Sequence, residues 1–414
     1  MSMREVWTTY GSLPRVAYLL SLGTFVNKAG SFIIAFLTLY LSESLGYSKS
    51  FATLCMGVFG LGGIVASLLG GQFADQFGRR RVMMFALVGG AAALMVLSTL
   101  RSQVGIAVGI FVFALIVEMY RPAAAAMMAD VVPPEQRNLA FGVLYVATNL
   151  GFAFGASVGG WLAENFSFAW LFYGDAATTF LFAIWIAFVI PESLKRRAKD
   201  GGGSDDTPSP SFLDAWRAIG RDWTFLLFCL AALMSGLVFF QGMSTLPLYL
   251  GTIGIPKDVY GWLISSNGLM IAIFQLPYGT FLSRFRRIRV IASGTFFVAL
   301  GFGLVRFSET PLAIGGTILI WTIGEMMQAP FMAATVATLA PTDLRARYQG
   351  VFSMCFGAAV TLGAPLGGVV LEKYGGHTLW VGCAVVAGAS GVIFLGISGG
   401  MNRRETGDGV KESP

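Results

Sequence analysis

The chain has 414 residues, 55% hydrophobic and 12% charged, with a mean hydropathy of +0.71. Soluble domains carry about 25% charged residues, so an ordinary soluble protein is excluded. The formal net charge of +6 comes from basic residues that flank apolar runs, with no separate basic and aromatic patch, which argues against a nucleic-acid partner.

Twelve apolar stretches are long enough to span the roughly 30 Å of bilayer hydrocarbon. They fall at about 15–42, 50–73, 82–100, 104–129, 139–163, 168–190, 223–250, 258–282, 289–307, 311–334, 347–371 and 377–399. Backbone groups in lipid must be bonded internally, and these runs are too long and continuous for barrel strands, so each is expected to be helical. Small residues let membrane helices pack closely, and the chain has 53 glycines. The N-terminus shows no short apolar core followed by a small-residue cleavage site, so no removable signal peptide is expected.

Between the second and third stretches stands Gly71-Gln72-Phe73-Ala74-Asp75-Gln76-Phe77-Gly78-Arg79-Arg80-Arg81. A loop with an acid and three arginines cannot lie in hydrocarbon and marks the cytoplasmic face. Gly71 is expected to let two helices approach, Gly78 to permit a tight turn, and Asp75 to hold an arginine across the helix ends. With the N-terminus placed inside, 21 Lys and Arg fall on the cytoplasmic side and five outside (Lys49, Arg101, Lys257, Arg306, Lys373), while Lys28 and Arg121 remain within helices. That asymmetry places both termini in the cytoplasm.

Residues 194–222, which include KRRAKDGGGSDDTPSPS, are charged, rich in Gly, Ser and Pro, and aperiodic. They read as a flexible cytoplasmic linker between a first half, 1–193, and a second half, 223–414 with a short cytoplasmic tail. The halves are repeats. A shift of 208 residues places Gly71 on Gly279, Asp75 on Ser283, Pro122 on Pro330, Arg137 on Arg345 and Gly142 on Gly350. It also places Gly155, Gly159 and Gly160 on Gly363, Gly367 and Gly368. Both halves start on the same side, so the repeat is parallel, related by an axis along the membrane normal.

Charges inside the spans are functional candidates, because an unpaired charge there costs several kcal/mol. Glu118 lies twelve residues before Asp130, roughly 18 Å deeper. Arg121 is one turn away, and Lys28 and Asn27 lie in the middle of the first span. Glu325 is offset by one residue from the repeat mate of Glu118. Asp175 sits in the outer part of the sixth span. A glutamate balanced between desolvation and a movable cation can load and release a proton, so Glu118 with Lys28 or Arg121 is the leading proton-coupling set, with Glu325 as a second carboxylate.

The form G-x-x-x-D-x-x-G-R-R closely resembles the loop 2–3 signature of the major facilitator superfamily of secondary transporters. Together with the parallel repeat, the resemblance covers about residues 10–400. It implies an all-α membrane protein with 12 transmembrane helices in two six-helix halves. In that family a charge cluster at this loop latches the outward-facing state, which would give that role to Asp75, Arg79 and Asp130, together with Gly71 and Gly78. The second copy is degenerate, with Ser283 and Arg286 in place of Asp75 and Gly78. Gly142, Gly151, Gly155, Gly159 and Gly160 resemble the family's antiporter motif, G-x8-G-x3-G-P-x2-G-G, except that Ala156 replaces the proline. The resemblance implies that this glycine face presses against a helix of the other half. Helices 1, 4, 7 and 10 line the cavity in this family, with additions from 5, 8 and 11. The implied lining is Asn27, Tyr40, Glu118, Phe240, Gln241, Trp321, Gln328, Tyr145, Asn149 and Asn267. Trp321, Glu325 and Gln328 share one helical face. Aromatics with a few carboxylates suit amphipathic, often cationic, compounds.

The implied function is a proton-driven antiporter exporting such small molecules, monomeric, in the cytoplasmic (inner) membrane, with the bilayer and protons as its other partners. The alternative is a proton symporter importing a sugar, peptide or organic acid, favoured by Ala156. A third reading is a membrane sensor or lipid translocator. No G-x4-G-K-[ST] is present, so ATP drive is not expected, and no catalytic constellation suggests an enzyme. The four cysteines lie in apolar runs without CxxC spacing, so no metal site or disulfide is expected, and no cofactor is called for. His377 reads as a solvated residue at a helix start.

Overall fold

The computed structural model describes residues 13–133, 136–193, 212–341 and 344–405. The described chain is helical throughout, with no strand. Eleven helices among these residues are long and apolar enough to cross a membrane. The last, Arg345–Gly396, runs for 52 residues. At 1.5 Å per residue that is about 78 Å, more than twice the thickness of the hydrocarbon. Gly375 divides it, with φ 80° and ψ 170°. A side chain at that φ would be strained, and glycine alone adopts it at little cost. The division makes twelve crossings, as the apolar runs predict, and leaves His377 exposed just beyond the turn.

Three spans are broken. The first comprises α1 (Arg15–Ala29) and α2 (Ile33–Leu39), which ends in a wider turn over Tyr40–Ser44. The fourth comprises α3 (Gln103–Val117) and α4 (Tyr120–Val131). Its break is explained by Pro122, which has no N–H to offer the Glu118 carbonyl four residues earlier. The Arg121 N–H takes that carbonyl instead, at 3.3 Å. The seventh is Trp223–Phe239 followed by two short helices, Gln241–Ser244 and Leu246–Thr252. Pro330, the repeat mate of Pro122, leaves Pro311–Leu339 unbroken. The carbonyl it deprives is that of Met326, and Gln275 Nε2 donates to that oxygen at 3.3 Å. A side chain from a neighbouring helix thus replaces the missing backbone bond.

The chain forms two compact units. The first contains Met1–Ser48, Val58–Ser204 and Pro256–Ile273. Its core is built from Leu20, Met83, Leu87, Tyr120, Met127, Phe182 and Ile186. The second contains Lys49–Gly57, Asp205–Ile255 and Phe274–Pro414. Its core is built from Phe225, Phe228, Ile291, Met332, Tyr348, Phe352 and Phe394. The expected linker is not uniformly aperiodic. Residues 194–211 lie outside the described residues, but Phe212–Arg221 is a helix whose Ile219 is buried in the second core.

Candidate functional site

The loop after the second span builds a charge cluster within the first unit. Lys49–Phe77 ends at Gly78, which holds φ at 101° and lets the chain turn at once into Arg79–Thr99. The positive φ is what requires glycine there, and Glu192 Oε2 occupies the space where its Cβ would stand. The turn delivers Arg79 with its side chain only 3% exposed. Its Nη2 lies 2.7 Å from Asp75 Oδ1 and its Nε 3.0 Å from Asp130 Oδ2. Its Nη1 donates to the Ala74 carbonyl at 2.8 Å. Asp75, Arg79 and Asp130 therefore meet as expected from the motif.

Two further partners were not legible in that motif. Glu192 Oε1 accepts the Arg79 backbone N–H at 3.0 Å, and Ser193 Oγ donates to Asp130 Oδ2 at 2.8 Å. Both follow Pro191 at the end of Ala169–Val189. The acid after a proline at the end of an apolar run was the available signal.

Gly71 is a correction. A Cβ there would meet nothing within 4 Å, whereas one on Gly70 would lie 2.8 Å from Pro122 Cγ and 3.1 Å from Met119 Cα. The close approach falls on Gly70 because one residue turns the helix face by about 100°. In the second copy, Arg286 takes an ordinary φ of −63° where Gly78 has a positive one. The tight turn is lost together with its glycine and its acid.

The second cluster lies within the spans. Glu118 stands at the break of the fourth span, where its Oε2 is 3.3 Å from Arg121 Nη1. The Glu118 side chain is 19% exposed and that of Arg121 78%. Lys28 is not in this pair. It lies in the last turn of α1, within electrostatic reach of Asp175. Glu325 sits half-buried on Pro311–Leu339 in the second unit.

The glycine face on Arg137–Asn165 divides between two neighbours, both in the first unit. A Cβ on Gly151 would lie 2.6 Å from the Phe25 carbonyl, and one on Gly155 2.7 Å from that of Lys28. A Cβ on Gly159 would lie 3.0 Å from the Phe36 ring. These three pack on the first span rather than on the second half. Gly160 instead faces Lys257–Leu282, where a Cβ on it would lie 2.7 Å from the Lys257 carbonyl and 3.1 Å from the Cα of Gly261. A Cβ on Gly261 would in turn lie 2.5 Å from the carbonyl of Ala156. Ala156 thus occupies this crossing where the motif has proline. Gly142 stands on the same helix. Ser157 Oγ donates to Ser265 Oγ at 2.7 Å across the crossing. At its end Lys257 Nζ reaches Glu43 Oε2 at 3.0 Å and Glu164 Oε2 at 3.6 Å.

Several of the expected cavity residues are packing or bracing groups in this structure. Tyr40 is buried edge-on against Phe172, with ring centroids 4.9 Å apart. Gln241 is buried and donates to the carbonyls of Leu237 and Gly363 at 2.8 and 2.7 Å. Trp321 is stacked on Phe302 and edge-on to Phe239. Gln328 is buried and accepts from Ser235 Oγ at 2.8 Å. Asn267 is buried too. Asn27, Tyr145, Asn149 and Phe240 are half-buried. Asn27 Nδ2 donates to Thr179 Oγ1 at 3.1 Å, and Asn149 Nδ2 to the Tyr145 carbonyl at 2.9 Å.

Comparison with known proteins agrees with this architecture. A family model described as Major Facilitator Superfamily matches residues 20–258 and 243–410. The chain is 24% identical to the uncharacterized MFS-type transporter YqjV of Bacillus subtilis, covering 92% of each chain. It is 25% identical to a Na(+), Li(+), K(+)/H(+) antiporter of Planococcus maritimus, covering 80% of this chain and 83% of that one. It is 23% identical to the multidrug resistance protein MdtH of Aeromonas hydrophila, over 87% and 86%. Among solved structures, a peptide transporter POT in complex with sulfate superposes with a TM-score of 0.79 at 18% identity, over 94% and 96%. That likeness concerns the fold.

Proposed function

We propose that this chain, which belongs to the Major Facilitator Superfamily and is a membrane transport protein rather than an enzyme, is a proton-coupled antiporter that exports amphipathic or cationic small molecules. The observation that carries the reading is the Glu118–Arg121 pair inside a membrane-spanning segment. A carboxylate there persists only when something neutralises it. Its present neutraliser is a long side chain, 78% exposed, at 3.3 Å. Pairs with so exposed a partner are worth about 0–1 kcal/mol, so Arg121 is easily exchanged for a proton.

Coupling then works by exchange. A proton arriving from outside displaces Arg121 from Glu118 and releases substrate. Loss of that proton to the cytoplasm restores the pair and readies the pump. Glu325 and Lys28 are the other members of the coupling set. Phe239 and Phe240, both half-buried and packed edge to edge, offer aromatic faces to a cation. The relatives named as an antiporter and as a multidrug resistance protein support the same direction of transport. Twenty-one Lys and Arg on one side against five on the other support an inner-membrane orientation with both termini inside.

The test is accumulation of ethidium in cells that lack their own exporters. Cells with the wild-type chain hold several-fold less dye than control cells. The difference disappears with a protonophore, and equally with Glu118→Gln at matched expression. Export that survives Glu118→Gln removes Glu118 from coupling, and dye equal to the control removes this class of substrate.

A further inference from the structure

Asp175 is a charged side chain within a span that the Glu118 mechanism does not use. It lies on Ala169–Val189 and is 3% exposed. No arginine or lysine pairs with it within 4 Å among the described residues. Its oxygens meet hydrogen-bond donors instead. Oδ2 accepts the backbone N–H of Ile33 at 3.4 Å, and Oδ1 accepts the Thr179 hydroxyl at 3.3 Å. Asn27 Nδ2 holds Thr179 Oγ1 from the other side at 3.1 Å.

These partners share one location, the break in the first span. No proline explains that break. α1 ends at Ala29, with the Gly30 N–H turned back to the carbonyls of Val26 and Asn27, each at 3.2 Å. The chain resumes as a helix at Ile33. The first N–H groups of a helix have no partner within it, and Asp175 supplies one from 142 residues away. Thr178, three residues further along the same helix, fills the space beside Gly30 that a Cβ would need.

The charged surroundings are sparse. α1 contributes Lys28, beyond ion-pair distance but near enough to favour the Asp175 carboxylate. α2 carries no ionisable side chain, and Tyr40 just beyond it packs on Phe172. Arg79–Thr99 carries only Arg79, Arg80 and Arg81, and Arg137–Asn165 only Arg137, Tyr145 and Glu164. None of these acts on Asp175. Two groups can therefore neutralise this carboxylate, the Lys28 ammonium and a proton.

We propose that Asp175 is a second proton-binding site and that its protonation sets the geometry of the break in the first span. As a carboxylate it holds the Ile33 N–H and draws Lys28 toward it. As the neutral acid it releases Lys28 and weakens its hold on the start of α2. The step is protonation of one carboxylate by water and needs no other reactant. It deepens the proton-coupled reading above, but its test does not depend on transport.

The test is infrared difference spectroscopy of the purified full-length protein in lipid nanodiscs, titrated from acid to alkaline pH. The wild type shows a carboxylic-acid C=O band that comes and goes with pH and belongs to a water-excluded group. Asp175→Asn loses one carboxyl's worth of that band, and any loss with Glu118→Gln is separate from it and additive. Lys28→Gln displaces its midpoint, and Arg121→Gln does not. If Asp175→Asn does not fold, Thr179→Val serves in its place: it removes the hydrogen bond to Oδ1 and shifts the frequency of the same band. A spectrum unchanged by Asp175→Asn, or a band unmoved by both Thr179→Val and Lys28→Gln, overturns the proposal. A confirmed band without ethidium export leaves the site intact and refutes the export reading alone.

Discussion

Arg79→Ala destabilises the first unit by about 3–5 kcal/mol, the cost of leaving a buried charge without its partner. The deserted charge is Asp130, whose side chain is 10% exposed and which keeps the Ser193 hydroxyl as a donor. The Ala74 carbonyl loses the Arg79 side-chain bond as well. Asp75 behaves differently. Its side chain is 71% exposed, so Asp75→Asn removes an ion pair worth at most about 1 kcal/mol. Arg79→Lys keeps the charge but cannot span three acceptors with one planar fork, and it falls between the two. Thermal unfolding of the purified variants checks this order. Equal losses for Arg79→Ala and Asp75→Asn would show that the cluster is governed by solvent-exposed electrostatics rather than by the buried arginine.

Gly160→Val is the second substitution with a large expected effect, and its effect is on transport. The first added carbon already falls 2.7 Å from the Lys257 carbonyl and 3.1 Å from two Cα atoms. Backbone on that side cannot give way as a flexible side chain would. Overpacking of this kind costs about 1–3 kcal/mol and forces Arg137–Asn165 away from Lys257–Leu282. The Ser157–Ser265 bond and the Lys257 contacts with Glu43 and Glu164 lie along the same crossing. Any state of the cycle that needs this contact is disfavoured by the same amount, roughly 5- to 150-fold in population. Ethidium export by Gly160→Val falls to background while the protein still reaches the membrane. Gly71→Val, whose Cβ meets open space, retains export. The reverse order would place the functional contact on the Gly71 face.

What the sequence reveals depends on how far apart the interacting groups lie along the chain. The loop signature was readable because a turn, a glycine with positive φ and an (i, i+4) ion pair are local. Twelve spans were readable because hydrocarbon thickness sets their length. Gly375 was needed to fold the last long helix into two crossings, and the apolar runs already left a gap there. Glu192 and Ser193 were not readable from the loop, because they reach it from 113 and 63 residues away. The break in the first span was not readable for the same reason, as its sequence holds no proline and its partner is Asp175. Gly70 and Gly71 differ by one position, and only packing tells which faces Pro122. Prolines 122 and 330 are repeat mates, yet one breaks its helix and the other does not. The difference lies partly in Gln275, a neighbour that no helical period reveals. The cavity residues were the least legible, since an amide such as Gln241 serves a substrate or a bare carbonyl with the same chemistry.

The central claim is that a proton gradient drives solute movement through this chain. It is tested most directly with purified protein in liposomes that contain no other protein. An inward-acidic pH step is imposed, and ethidium entry into the lumen is followed by its fluorescence on enclosed DNA. Dye entry that follows the pH step, stops when nigericin collapses it, and is absent with Glu118→Gln is the predicted result. Dye entry at the same rate with and without the gradient would contradict proton-coupled antiport and describe a passive carrier instead.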